Sequence, residues 1–312
     1  MTSPARERVK KEQPESLDAM ATDTIIAKSG DVLFLLGKEG QVATKVRVSS
    51  MTLSLASPVF EALFKVPLLD DDMQSMLLIC KIAHLQTAGL PDKVSVDDLA
   101  NFAILCDKYQ CKEAVQAWSQ VWITKMLKAP SGIHLEKVVF ASYVLDLPEE
   151  FYQATVALTR DQSADATIIA IDVLPAEIFN KLRASKRQTE QQGHVAFSEV
   201  TRSFGGCDSS RNALGLFVVS LRNAGIWPFK HQSISHLKTQ VASMSEVPTT
   251  DCSAPYCPCR SRFRNLKGNL IAEMNTVYNS VNGICLDCIK RKAVGGSHVC
   301  RITHDATGRK TA

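Results

Sequence analysis

The first strong hydrophobic run is Asp31-Val-Leu-Phe-Leu-Leu-Gly37, continuously apolar as in a strand buried on both faces. Lys38-Glu39-Gly40 supplies turn chemistry. Beyond it Val42, Thr44, Val46 and Val48 alternate with Lys45 and Arg47, the period of a half-buried strand, so 31–49 is expected to form a β-hairpin. The period then lengthens to that of helices. Ser57-Pro58 sets an N-cap residue before a proline in the first helical position, and Val59–Phe64 continues from it. Asp70-Asp71-Asp72 places three carboxylates where a helix macrodipole favours them, ahead of a helix over 73–85 carrying Met76, Leu77, Cys80 and Ala83 on one face. Ser95–Asp98 resembles a capping box opening a helix that runs to Tyr109. In 112–127, Val115, Trp118, Trp122 and Met126 form an amphipathic stripe.

Ala129-Pro130-Ser131-Gly132 reads as a boundary. Further helices are expected at Leu135–Leu145, Glu149–Thr159, Pro175–Ala184, Arg211–Asn223 and Ile234–Ser243, with the polar stretch Ser185–Gly193 exposed between two of them. Glu246–Thr250 reads as a linker, and a cysteine-rich tail begins at Cys252. Residues 1–28, rich in Lys, Glu, Pro and Ser at their start, read as a flexible leader.

The segments Asp31–Gly37, Val46-Arg-Val-Ser-Ser50 and Leu53-Ser-Leu-Ala-Ser-Pro-Val-Phe-Glu-Ala-Leu-Phe64 occur in an order that resembles the BTB/POZ family. Leu69-Asp-Asp-Asp72, Met76-Leu-Leu-Ile-Cys80 and Leu105-Cys-Asp-Lys-Tyr-Gln-Cys111 extend the resemblance, which is greatest to the BTB proteins of filamentous fungi and covers 29–127. It implies an α+β fold: a BTB/POZ domain, a small sheet with a shell of helices, followed by a mainly helical region at 130–245 and a linker and Cys/His-rich basic tail at 246–312. It also implies a non-enzymatic protein–protein interaction module, acting through self-association as a homodimer or larger oligomer and through binding partner proteins. One departure is clear. The family places a further strand and loop after the Phe64 helix, where this chain has only Lys65-Val-Pro-Leu-Leu69. The hydrophobic-x-Glu element often carried there by cullin-recruiting relatives is missing too, which weakens the alternative of a cullin-type ubiquitin-ligase adaptor.

Composition narrows the class further. The 312 residues are 45% hydrophobic and 22% charged, as in ordinary globular chains, and the length suits about two domains. No apolar run approaches the roughly 18 residues of a membrane span, and Met1–Thr22 lacks the apolar core of a signal peptide. The expected setting is intracellular, nucleus or cytoplasm, where thiols stay reduced. No Walker loop, Gly-x-Ser-x-Gly or Gly-x-Gly-x-x-Gly occurs, so no catalytic residue, required cofactor or small-molecule substrate is assigned.

Six of the ten cysteines lie between Cys252 and Cys300. Cys257, Cys259, Cys285, Cys288, His298 and Cys300 are candidate zinc ligands, because thiolates and imidazoles at short spacing can converge on one tetrahedral ion. Cys285-Leu-Asp-Cys288 is the most ligand-like pair, and either His298 or His304 could complete a set with Cys300. The alternative is a loose tail with free thiols; a thioredoxin-like redox site lacks its surrounding βαβ pattern. The same tail, 252–312, has ten Lys or Arg against three Asp or Glu, a net +7, with Arg260, Arg262, Arg264, Lys267 and Lys290–Lys292 as its clusters. That charge raises a second alternative, a zinc-dependent nucleic-acid-binding regulator, against a plainly solvated basic face.

Overall fold

A computed structural model describes residues 22–36, 44–63, 71–128, 134–163, 174–202, 207–228, 231–247, 252, 265–294, 299–305 and 309–311. The fold is α+β, mainly helical with one small sheet. The chain divides into two compact units, 1–91 with 105–115, and 92–104 with 116–312. The division falls inside two helices; the boundary read at Ala129–Gly132 lies outside the described residues.

The first unit holds a three-stranded sheet, β1 (Thr22–Ile25), β2 (Val32–Leu36) and β3 (Thr44–Val48), in the order β1-β3-β2. β2 and β3 are antiparallel, as the hairpin reading requires, with Phe34 opposite Val46; the turn between them lies outside the described residues. β1 is parallel to β3 and comes from within the stretch read as a leader, so an ordered strand stands at 22–25. It escaped the sequence reading because four residues with a single large aliphatic give no periodicity to detect.

β2 is buried on one face, not two. Phe34 and Leu36 are buried while Leu33 and Leu35 are exposed. An unbroken apolar run cannot by itself distinguish a central strand from an edge strand whose outer face is apolar.

α1 (Ser50–Ala56) and α2 (Pro58–Leu63) follow, each opened by a serine. Ser49 Oγ accepts from the Thr52 amide, and Ser57 Oγ accepts from the amides of Val59 and Phe60 while donating to the Tyr109 carbonyl. α3 (Met73–Ala83) is capped by Asp72, which accepts from the Ser75 amide at 2.8 Å. Phe60 stacks between Phe34 at 6.1 Å and Tyr109 at 4.5 Å, centroid to centroid, forming the aromatic centre of this unit.

α4 (Val96–Lys108) and α5 (Lys112–Leu127) run from one unit into the other. Ser95 caps α4 as the sequence suggests, with the Asp98 amide donating to its hydroxyl at 3.0 Å. In the second unit Trp122 meets Phe102 edge-on at 5.6 Å and is fully buried; Trp118 and Met126 are half-buried beside the same stripe.

α6 (Leu135–Val144) and α7 (Pro148–Asp161) form a tightly packed helical hairpin. α8 spans Ala176–Arg202 without interruption, so Ser185–Gly193 is helix rather than an exposed break, with Lys186, Thr189, Glu190 and Gly193 buried. α9 (Asp208–Asn223), α10 (Ile234–Ser243) and α11 (Leu266–Ser280) pack with α8 around Phe197, Phe217, Leu221, Leu237, Leu270 and Met274. The stretch 246–312 therefore supplies core: α11 belongs to this bundle, and Val247 and Cys252 are buried in it. No described helix is long and apolar enough to cross a membrane.

Candidate metal centre

α12 (Leu286–Val294) begins where the chain leaves α11 through Val281–Cys285. That connection is held tightly. The Ile284 amide donates to Thr155 Oγ1 at 2.9 Å, and Gly283 lies so close to Tyr152 that a Cβ there would come within 2.6 Å of the Tyr152 carbonyl oxygen. Only glycine fits, and its approach fixes the start of α12 against α7.

Cys285 immediately precedes α12 and Cys288 lies in its first turn, with the Cys285 carbonyl accepting the Ile289 amide. The positive end of the helix dipole lies there, which favours thiolates. Cys300 and His304 come from the following segment. His304 pairs with Lys310 across a short antiparallel bridge, and the Thr311 amide donates to the Thr303 carbonyl. Ile302 anchors this segment in a small cluster with Tyr152, Val156 and Val281.

One sulfur or nitrogen atom from each of Cys285, Cys288, Cys300 and His304 lies within 4.8 Å of every other, a group that could hold a metal ion. Cys288 Sγ is 3.6 Å from Cys300 Sγ and 3.4 Å from His304 Nε2. Tetrahedral coordination with metal–sulfur bonds of about 2.3 Å and metal–nitrogen bonds of about 2.0–2.1 Å has edges of about 3.8 and about 3.6 Å. The observed separations match those edges. His304 is also correctly presented: Nδ1 donates to the Asp305 carbonyl at 2.8 Å, which leaves the Nε2 lone pair facing the sulfurs.

Without a metal the thiols titrate unevenly. Burial pushes Cys285 up to about 12 and also raises Cys288, which is further raised by its hydrogen bond with Cys300. Burial opposes ionisation of Cys300 too, but hydrogen bonds from His304, Cys288 and Cys285, with the Arg291 charge, bring it below the ordinary thiol value. His304 is raised, chiefly by its bond to the Asp305 carbonyl. A bound cation would deprotonate all three thiols.

Two arginines support the group. Arg291 reaches Cys300 Sγ directly from the last part of α12. Arg301 donates from its backbone and side chain to Asp287, at 2.7, 3.0 and 2.6 Å, and to the Asp146 carboxylate at 2.7 and 3.1 Å. Asp146 ends α6 in the left-handed region at φ 58°, a conformation aspartate tolerates better than most residues, and its carboxylate also takes Lys290. Burial would raise both carboxyls, but Arg301, joined at Asp146 by Lys290, holds them below the usual range.

Of the six ligands expected from the sequence, Cys285, Cys288 and Cys300 converge. Cys257, Cys259 and His298 lie outside the described residues, and His304 is the histidine found with the three sulfurs. Arg301, Asp287 and Asp146 carried no signal in the sequence, since Asp146 and Arg301 are 155 positions apart.

Among the described residues, five of the tail's cations are engaged. Lys290 and Arg301 meet Asp146, Lys310 meets Glu149, Lys267 meets Glu246 and Arg291 meets Cys300; Arg260, Arg262 and Arg264 lie outside the described residues. Comparisons of the chain with protein-family models, with curated proteins and with solved structures find no match.

Proposed function

We propose that this chain is a non-enzymatic interaction module: a BTB/POZ-type first unit that self-associates and binds partner proteins, with a second unit whose C-terminal part is stapled by zinc. The observation that supports the first half is apolar surface in the first unit. Strand register aligns Ile25, Arg47 and Leu33 in one row of the outer sheet face, with Leu35 and Lys45 in the next. On α1, Met51 and Leu55 lie one turn apart and are 73% and 82% exposed. Large aliphatic side chains concentrated outside a core mark association surfaces. A stable contact would cover on the order of 1,200–2,000 Å² in total.

Zinc is the metal favoured by three thiolates and one imidazole at tetrahedral spacing. Four protein donors leave no open position, which suits a structural role and supports the non-enzymatic reading. In the basic tail on which the nucleic-acid alternative rests, Lys267, Lys290, Arg301 and Lys310 are paired with this chain's own acids, while Arg260, Arg262 and Arg264 lie outside the described residues.

Light scattering coupled to size exclusion of the full-length chain, with metal analysis of the same peak, tests both halves. The expected result is a dimer or larger assembly carrying about one zinc per chain, and a Leu55→Glu chain that elutes as monomer with its zinc intact. A monomeric parent chain would overturn the self-association, and absence of zinc after refolding with the metal would overturn the staple.

A further inference from the structure

The four donors are not equally sheltered. Cys285 is 5% exposed, whereas Cys288 and Cys300 are only half-buried, and Val299 beside Cys300 is almost fully exposed. The two half-buried sulfurs are 3.6 Å apart, already near contact. Arg291 touches Cys300 Sγ, and its Nε is buried without a hydrogen-bond partner. A guanidinium in that position neutralises negative charge at Cys300 and holds an unused donor beside it.

We propose, on the zinc reading given above, that this centre is also an oxidant-sensitive site, where hydrogen peroxide joins Cys288 to Cys300 and releases the metal. Cys300 Sγ, partly exposed and beside Arg291, attacks one peroxide oxygen. The S–O bond forms, the O–O bond breaks, and the departing hydroxide takes a proton from a buffer acid and leaves as water, with a sulfenic acid on Cys300. Cys288 Sγ then attacks the Cys300 sulfur. The S–S bond forms, the S–O bond breaks, and the second oxygen leaves as water after protonation. In sum two thiolates, one peroxide and two protons give one disulfide and two waters; the sulfur pair loses two electrons and the metal keeps its charge. Only Cys285 and His304 remain as donors, and two donors do not retain zinc against water and buffer. Reduction by a dithiol restores all four ligands, so the change is reversible. Arg291 favours Cys300 over Cys288 as the attacking sulfur, since its cation and unused donor stabilise the oxygen that Cys300 acquires.

The test starts from the full-length chain, refolded with zinc and assayed for metal. Peroxide is then added while a chromogenic chelator follows released zinc, and thiol alkylation with peptide mass mapping locates any disulfide. Expected are one zinc released per disulfide, a Cys288–Cys300 bridge, recovery of binding after dithiothreitol and zinc, and release slowed about 3- to 10-fold in Arg291→Gln. A chain that takes up no zinc overturns the metal reading and this proposal with it. Uptake followed by retention under peroxide overturns the proposal alone, as does release through a bridge to Cys285 or through sulfinic acid without a bridge. An Arg291→Gln chain that releases zinc at the parent rate overturns the role given to the guanidinium.

Discussion

At the scale of single residues the first unit depends on a buried carboxylate. Asp71 is 6% exposed, and both of its oxygens are used: one by Lys108 at 2.5 Å, the other by the Tyr109 hydroxyl. Lys108 is half exposed, so water screens its charge, and the phenol is the sheltered partner. Burial and the neighbouring Asp71 both keep the Tyr109 hydroxyl protonated far above ordinary pH, so it acts as a donor throughout the working range. Tyr109→Phe keeps the stack on Phe60 and removes only that donor. It is expected to lower stability by about 1–3 kcal/mol, because Asp71 is left buried with one oxygen unmet. Urea denaturation of the two chains measures this, and equal midpoints would mean that water replaces the phenol. The helix-opening roles of Ser57, Asp72 and Ser95 were legible in the sequence, since a cap acts within three residues of itself. The role of Asp71 was not. It read as a third acid at a helix start, and its partner stands 38 positions away.

α8 carries the same lesson to the scale of an element. Its middle is rich in Lys, Arg, Gln and Glu, which reads as a solvated break, yet Lys186, Thr189, Glu190 and Gly193 recur every three or four residues on the buried side. Periodicity was present, but in polar residues, where hydropathy does not look for it. Each is accommodated specifically. Glu190 meets His231 at 2.7 Å, and Gly193 lies against Ile234. Lys186 donates to Gln162 at 2.8 Å, and Gln162 in turn donates to the buried Glu136. Burial draws Lys186 down to about 8, with Glu136 opposing. A lysine lowered on folding binds fewer protons in the folded chain than in the unfolded one between about pH 8 and the ordinary lysine value near 10.4. Stability therefore rises with pH through that window, by about 1–3 kcal/mol from this group. Lys186→Met removes the titration. Denaturation midpoints at pH 7.5 and pH 10 should show the parent chain gaining on the variant as pH rises, whereas parallel changes would mean that Lys186 is charged and solvated when folded.

On the scale of the whole chain, described parts of the stretch read as a linker and Cys/His-rich tail pack into the second unit. α11 completes a helical core, and the segments after it return to α6 and α7. Cys285 and Cys288 of the Cys/His group were legible because Cys-x-x-Cys is local. The choice of histidine was not, because it depends on a bridge between His304 and Lys310 that forms only when both ends are seated. Arg301 is the residue through which that seating reaches the Cys/His group. It follows Cys300 directly and joins the first turn of α12, through Asp287, to the end of α6, through Asp146. Exposed ion pairs contribute little alone, but here one guanidinium spans two carboxylates and fixes the position of the adjoining Cys300. Loss of such support typically weakens metal binding by about 10- to 100-fold. Arg301→Gln should therefore bind zinc that much more weakly in competition with a chelator of known affinity. Because a site absent from the unfolded chain adds its binding free energy to folding, the same variant should lose amide protection at Ile289 when zinc is limiting, while Phe217 and Leu270 in the bundle core keep theirs. Unchanged zinc affinity would make Arg301 a surface contact only, and protection lost equally from Ile289 and Phe217 would mean that the staple and the helical core fold as one unit.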